Sequence, residues 1–252
     1  MKKQSVIVAA ILCIGSLCLN YAWAKPTIEQ LIATPQLSGV KISPHGKYLG
    51  IKVFDGEQQV LQFYDRETLK PVGGFGIGGR VEVGEFEWAN EERIVGEVVE
   101  PDFAKAQPIF YGELFATDID GTRSEMLFGF RSGESQTGTH LQTKDADYAS
   151  AKIIDPLPDD DRHVLISKTE WSERHDRPAR VELLDVYSGQ ERSQSISSKY
   201  GSGGFLTDST GKVRVAVSFD AERNMHVQTL PRVDGEWIDL PRSAYGEHFA
   251  PF

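Results

Sequence analysis

From Tyr48 onward the chain is written in short apolar runs separated by polar turns. The run YLGIKVF (48–54) is bounded by Pro44-His45-Gly46 on one side and Asp55-Gly56 on the other. Asp-Gly suits a tight hairpin because both residues tolerate positive φ, and the run from Gln59 to Tyr64 closes that hairpin. Alternation is cleanest further on: Val81, Val83, Phe86 and Trp88 are apolar, Glu82, Glu85 and Glu87 intervene, and only the step through Gly84 breaks the period. A period of two with charge on alternate positions predicts a strand with one buried and one solvated face.

The same grammar then recurs: a strand, a polar turn, a second strand, a hairpin, a third strand ending in an acidic turn, and a short last strand. VKISPHGKYLGIKV with VLQFYDRETLKPV is the first copy, and FEWANEERIVGEVV with ELFATDIDGTRSEML the second. The third is AKIIDPLPDDDRHVLISK with RVELLDVYSGQERS, and the fourth GGFLTDSTGKVRVAVSF with HVQTLPRVDGEWIDL. Their first turns, at Gly46, Asn90, Asp160 and Gly211, lie 44, 70 and 51 residues apart, and the longer gaps hold insertions at Pro101–Tyr111 and Ser132–Tyr148. Four strands per copy at a spacing near 45 predicts an all-β fold, a partial β-propeller of about four four-stranded blades over residues 39–252. A β-sandwich also spaces its strands evenly but does not repeat its turns at this period.

Ahead of the repeats the pattern changes twice. Residues 25–38 read as a docking segment with one short helix: Thr27 caps it, Gln30 sits three residues on, Ile28, Leu31 and Ile32 are apolar, and Pro35 ends it. Residues 1–24 read as a secretory signal peptide. Lys2 and Lys3 precede a charge-free run from Val6 to Leu19, and Ala22-Trp23-Ala24 supplies the small residues of a cut after Ala24. No later stretch approaches the roughly 20 apolar residues of a spanning helix, so no membrane span is expected once the leader is cut. Cys13 and Cys18 both fall in the leader. The mature chain therefore has neither disulfide nor thiol chemistry, and its expected place is the periplasm or the medium.

Composition narrows the partners. Lys and Arg number 27 against 37 Asp and Glu, a net charge of −10. That charge repels a phosphate backbone and argues against nucleic acid.

The segment TIEQLIATPQLSGVKISPHGKYLGI resembles the opening of the propeller in exported serine peptidases of the prolyl oligopeptidase family, the dipeptidyl peptidase and acylaminoacyl peptidase-like branch. FEWANEERIVGEV, the DIDGT turn, and LTDSTGKVRVAV followed by DGEWIDL resemble it in the same order. The resemblance implies a propeller that filters peptide substrates by size for a C-terminal α/β-hydrolase domain carrying Ser, Asp and His. The chain departs from that pattern at its end: His248–Phe252 reads as the first strand of a fifth blade, and a hydrolase domain is missing. The expectation is a non-catalytic, substrate-gating portion of such a peptidase, truncated before the catalytic domain. The alternative is a free-standing periplasmic propeller that binds or scaffolds. A carbohydrate-active propeller lacks paired carboxylates and an aromatic platform at recognisable spacing.

The chemical motifs agree with a chain that is not catalytic by itself. No serine sits in Gly-x-Ser-x-Gly, and the nearest approach, Gly201-Ser202-Gly203-Gly204, leads into a strand where an elbow needs a helix. Gly74–Gly79 matches G-x-G-x-x-G, but an alternating strand follows it, so it reads as a flexible connection between the first two blades and no cofactor is expected. Asp118-Ile119-Asp120-Gly121 lacks the later ligands of a calcium loop, and Gly121 reads as the positive-φ residue of a hairpin. Asp159, Asp160 and Asp161 read as a solvated turn. The histidines His45, His140, His163, His175, His226 and His248 show no metal-binding spacing. Glu173-Arg174-His175-Asp176-Arg177 is the densest titratable group and reads as a hairpin tip. If the propeller touches peptide, Arg174, His175 and Arg177 are the candidate contacts.

Export has a direct check: the intact mass of the periplasmic protein should match a chain beginning at Lys25. Recovery of only the Met1 form, in the cytoplasm, contradicts it.

Overall fold

A computed structural model describes residues 36–102, 107–133, 145–172, 177–201, 203–232 and 235–244. The leader with Cys13 and Cys18, the Thr27–Ile32 helix and the His248–Phe252 strand lie outside the described residues. The described chain is all β, with two 3-10 turns, Phe130–Gly133 and Arg242–Ala244, and no α-helix.

Among the described residues, sixteen strands form four sheets. The first holds β1 (Leu37–Ile42), β2 (Tyr48–Phe54), β3 (Gln59–Asp65) and β4 (Pro71–Phe75); the second holds β5 (Glu82–Trp88), β6 (Arg93–Glu100), β7 (Ile109–Asp118) and β8 (Glu125–Phe128). The third holds β9 (Ala149–Asp155), β10 (His163–Glu170), β11 (Arg180–Asp185) and β12 (Glu191–Ser197); the fourth holds β13 (Gly203–Thr207), β14 (Val213–Phe219), β15 (Met225–Thr229) and β16 (Ile238–Asp239). Every sheet is an antiparallel meander in chain order. The four expected first turns join the first two strands of the four sheets. The fold is a partial β-propeller of four blades.

The core lies between sheets rather than within one. Leu61 and Phe63 of sheet 1 meet Phe86, Trp88, Ile94 and Phe115 of sheet 2. Val95, Leu114 and Ala116 on the other face of sheet 2 meet Val164, Ile166 and Leu184 of sheet 3, and Leu165, Val181 and Leu183 on the next face meet Phe205 and Ala216 of sheet 4. Sheets 2 and 3 are thus covered on both faces. That is why RIVGEVV (93–99) reads as a nearly continuous apolar run, while in β7 Phe115 turns to sheet 1 and its neighbours Leu114 and Ala116 turn to sheet 3. Edge-to-face packing of Phe63 on Trp88, at 5.8 Å between centroids, fixes the first seam.

Turn chemistry follows the sequence closely. Gly121 adopts φ +79° in the β7–β8 hairpin, as Asp-Gly demands. Two readings change. Gly74 belongs to β4, Ile77 is buried in the shared core and Gly78 bridges to Val81, so this connection is built and packed where a flexible one was expected. The insertion expected at Pro101–Tyr111 gives up its last residues to β7, which starts at Ile109 because Val99 and Glu100 of β6 pair with Phe110 and Ile109.

Polar clamps align the blades at one end. Glu91, in the first turn of sheet 2, accepts the Ser43 hydroxyl at 2.6 Å and the amides of His45 and Lys47 at 2.7 and 3.1 Å. These bonds hold its carboxyl below the usual range despite partial burial. Asn90 repeats the device one blade on, donating to the Asp161 carbonyl at 2.7 Å and to the Tyr187 hydroxyl at 2.9 Å. Between them Arg93, fully buried, donates to Asp118 and Glu125 at 2.7 Å each and to the Val186 carbonyl at 2.8 Å, with Tyr187 against its guanidinium.

Arg93→Ala takes the buried guanidinium from Asp118 and Glu125 and leaves buried Asp118 only the exposed Arg123. It should lower the unfolding free energy in urea by about 3–5 kcal/mol. Arg123→Ala removes an exposed partner of the same Asp118 and should cost about 1 kcal/mol or less. Equal losses for the two variants contradict this account.

Candidate functional site

In a meander, turns one and three of each sheet lie at one end of the strands, and turn two with the link to the next sheet lies at the other. The clamps above occupy the first end with short turns. The two longest connections, 129–148 between β8 and β9 and 171–179 between β10 and β11, fall at the second, with 101–108 between β6 and β7; the connection of residues 230–237 between β15 and β16 lies at the first.

A cavity of about 590 Å³ opens there between sheets 1 and 2. Gly78–Val81 form part of its wall, and Glu57, Glu82, Glu100 and Arg80 bring charge to it. Burial pushes the Glu82 carboxyl above its ordinary range, although the Gln59 amide donates to it.

Glu100 links this cavity to the next seam. It accepts from Arg131 Nη1 at 3.2 Å, and Arg131 Nε donates to Glu113 at 2.7 Å while the Arg131 amide reaches the same carboxylate at 3.1 Å. Glu113 is fully buried beneath Gly129, whose φ of +133° and missing Cβ make room: a Cβ there would lie 2.5 Å from Glu113 Cγ. Held in this way, Arg131 stands 5.0 Å from the Phe130 ring centre and 5.6 Å from that of Tyr111. Phe130 packs on Trp171 at 5.2 Å, Trp171 Nε1 donates to Ser150 Oγ at 2.7 Å, and Ser150 donates to the Tyr111 carbonyl. The Trp171 amide donates to the Tyr148 carbonyl. The result is a ledge of Tyr111, Phe130, Trp171 and Tyr148 beside the cavity, with Trp171 45% and Tyr148 74% exposed.

Of the expected peptide contacts, Arg174 and His175 lie outside the described residues. Arg177 is described and exposed, in the connection that begins at Trp171. The ledge itself escaped the sequence reading. Its signal was present: Tyr111, Phe130 and Tyr148 stand at or beside the borders of the two insertions, and Trp171 two residues before the 173–177 cluster.

A second group tests for catalysis. Ser218 pairs across the sheet with His226, whose Nε2 lies 2.9 Å from Asp220 Oδ2 and whose ring stacks on Tyr200 at 4.0 Å. The His226 and Asn224 side chains hold the Asp220 carboxyl down to about 2. The residue types are those of a hydrolytic triad, but the arrangement is not: Ser218 Oγ is buried and makes no hydrogen bond, so it meets neither base nor substrate. Among the described residues no three His, Cys, Asp or Glu side chains are grouped to hold a metal ion.

No protein-family model matches the sequence, and no curated protein does. Solved structures with similar coordinates include an acylaminoacyl peptidase in complex with Z-Gly-Gly-Phe-chloromethyl ketone: TM-score 0.46, 14% identity, 82% of this chain and 32% of that one. A prolyl endopeptidase aligns with TM-score 0.41 and 12% identity, over 82% of this chain and 29% of its own. TolB from Acinetobacter baumannii aligns with TM-score 0.42 and 13% identity, over 81% and 43%. This chain spans about a third of the two peptidases and less than half of TolB. At these values the four stacked meanders themselves, and not the likeness, establish the fold.

Between the seams, Lys52 of sheet 1 pairs with Glu85 at 2.6 Å, and Glu97 of sheet 2 lies near Glu85, Lys52 and Lys152 of sheet 3. Burial raises the Glu97 carboxyl above 4.5, its usual value; Glu85 adds to the rise, and the two lysines and the Glu85 amide oppose it. A raised folded-state value means that the fold binds this proton more tightly than the unfolded chain does. Stability from this group therefore falls as pH climbs from 4.5 through the folded value. Glu97→Gln should raise the melting temperature at pH 7 and leave it unchanged at pH 4. A loss at pH 7 contradicts the burial argument.

Proposed function

We propose that this chain is the propeller portion of an exported serine peptidase of the prolyl oligopeptidase type, gating and positioning peptides for an α/β-hydrolase domain. The observation that carries the reading is the ordered run of family-like motifs in the first, second and fourth blades, from VKISPHGKYLGI to DGEWIDL. Blade architecture supports it, because the motifs fall at the turns and strands of three of the four equivalent sheets.

Acyl transfer needs an activated nucleophile, a base and donors to the oxyanion. This sequence has no Gly-x-Ser-x-Gly, and Ser218 stands buried and unbonded. In this reading the propeller contributes position and exclusion, and the hydrolase domain contributes the bond-breaking groups. The end with the cavity and the aromatic ledge is where a peptide meets these blades. The periplasm, or the medium, is where it works.

The test is the reading frame beyond the Phe252 codon together with the activity of its product. The proposal expects further blades followed by Gly-x-Ser-x-Gly. Lys25–Phe252 alone should neither hydrolyse chromogenic dipeptidyl or acyl-peptide substrates nor react with a fluorophosphonate probe, and the extended protein should do both. A stop codon at Phe252, or an inactive extended protein, moves the assignment to a free-standing binding propeller.

A further inference from the structure

The geometry points to a subsite on the long-connection end that binds an extended peptide through a lysine or arginine side chain, laid along the aromatic ledge toward the carboxylates of the neighbouring cavity. This rests on the reading of the chain as a peptide-handling propeller and names the class of peptide it prefers.

Three observations carry it. Large exposed rings gathered at one place mark a contact surface, since scattered single ones are the norm on a monomer. Here Tyr148 and Trp171 are 74% and 45% exposed and joined by a backbone hydrogen bond, with Phe130 and Tyr111 behind them. The second is that a guanidinium already lies over this ledge: Arg131 is within 6 Å of two ring centres. The exposed rings of Trp171 and Tyr148 offer their negative faces to a further cation, more strongly where water is excluded.

The third is charge. Glu57, Glu82 and Glu100 at the cavity, with Glu113 beneath Arg131, outnumber Arg80 and Arg131. Glu100 lines the cavity and accepts from Arg131, whose guanidinium lies against the ledge, so one ion pair joins the two. A volume of about 590 Å³ lies in the range of sites that enclose a small ligand, enough for a long basic side chain and part of its backbone. A neutral sugar would use the rings and leave the carboxylates without a cation; an acidic peptide would be repelled.

The exported chain should be titrated with fluorescently labelled nonapeptides that are identical but for one central residue, Arg, Lys, Gln or Glu, and followed by anisotropy. The Arg and Lys peptides should bind at least tenfold more tightly than the Gln peptide, and the Glu peptide more weakly still. The preference should shrink in 0.5 M NaCl. Trp171→Ala should weaken binding of the Arg peptide about tenfold. Tyr148→Ala, at a more exposed position, should also weaken it, and it carries the test where Trp171→Ala lowers the melting temperature. The double variant Glu57→Gln/Glu82→Gln should remove the Arg-over-Gln preference.

Equal binding of the four peptides overturns the subsite, as does wild-type affinity in folded Trp171→Ala and Tyr148→Ala, or tighter binding of a neutral oligosaccharide. The outcomes separate from those of the proposed function. An extended protein that cleaves Gln- and Arg-containing peptides equally removes the subsite and leaves the peptidase. Selective binding of basic peptides with no hydrolase domain in the reading frame removes the peptidase and leaves the subsite.

Discussion

The structure depends on one constraint, that an apolar sheet face must be covered by another sheet. Sheets 2 and 3 meet it on both sides, and their middle strands are buried almost end to end. Sheet 1 shows the contrast. Lys41 turns toward sheet 2, where it pairs with Glu87, while Val40 and Ile42 on the opposite face remain 57% exposed. Burial at roughly 25 cal/mol per Å² makes each seam between blades the main source of stability, and a single four-stranded meander has too little to bury alone.

Apolar seams fix distance better than register, because a face of Val, Leu and Phe packs nearly as well when slid by one residue pair. The polar clamps supply what the seams lack. Glu91 can satisfy Ser43 and the amides of His45 and Lys47 in one alignment of blades 1 and 2, and Arg93 can reach Asp118, Glu125 and the Val186 carbonyl in one alignment of blades 2 and 3. Burying Arg93 is costly, and its full set of partners offsets that cost.

The strand order was legible because turns announce themselves locally: Asp-Gly at 55–56, Ser-Pro-His-Gly at 43–46 and Asp-Gly at 120–121 each became a hairpin. The double burial of sheets 2 and 3 was legible in part, in the loss of alternation through RIVGEVV. Two things were not. Ile77 lies among glycines, and only the neighbouring blade shows it to be a core residue. The ledge draws Tyr111, Phe130, Tyr148 and Trp171 from three different connections, so no window of sequence contains it. Arg93 looks like any strand-end arginine until Val186, more than ninety residues on, is seen to accept its hydrogen bond.

The two ends of the blades are consequently unequal in what they can become. At the clamped end the first turns of sheets 1 and 2 are short and already engaged with the next blade, so a substitution there disturbs alignment before it can create a new contact. At the other end Ile77 ties the link between β4 and β5 into the core, but the connections after β6, β8 and β10 have taken on extra length without moving a seam. The insertions fall at this end, and so do the exposed rings and the acidic cavity. Arg131 is the exception that ties it down: with Glu113 buried beneath Gly129 and Glu100 at the cavity, one guanidinium anchors the ledge to the strands. A binding surface on a rigid base is what peptide positioning requires, since a contact that moved with its loop would lose in ordering entropy what it gained in contact.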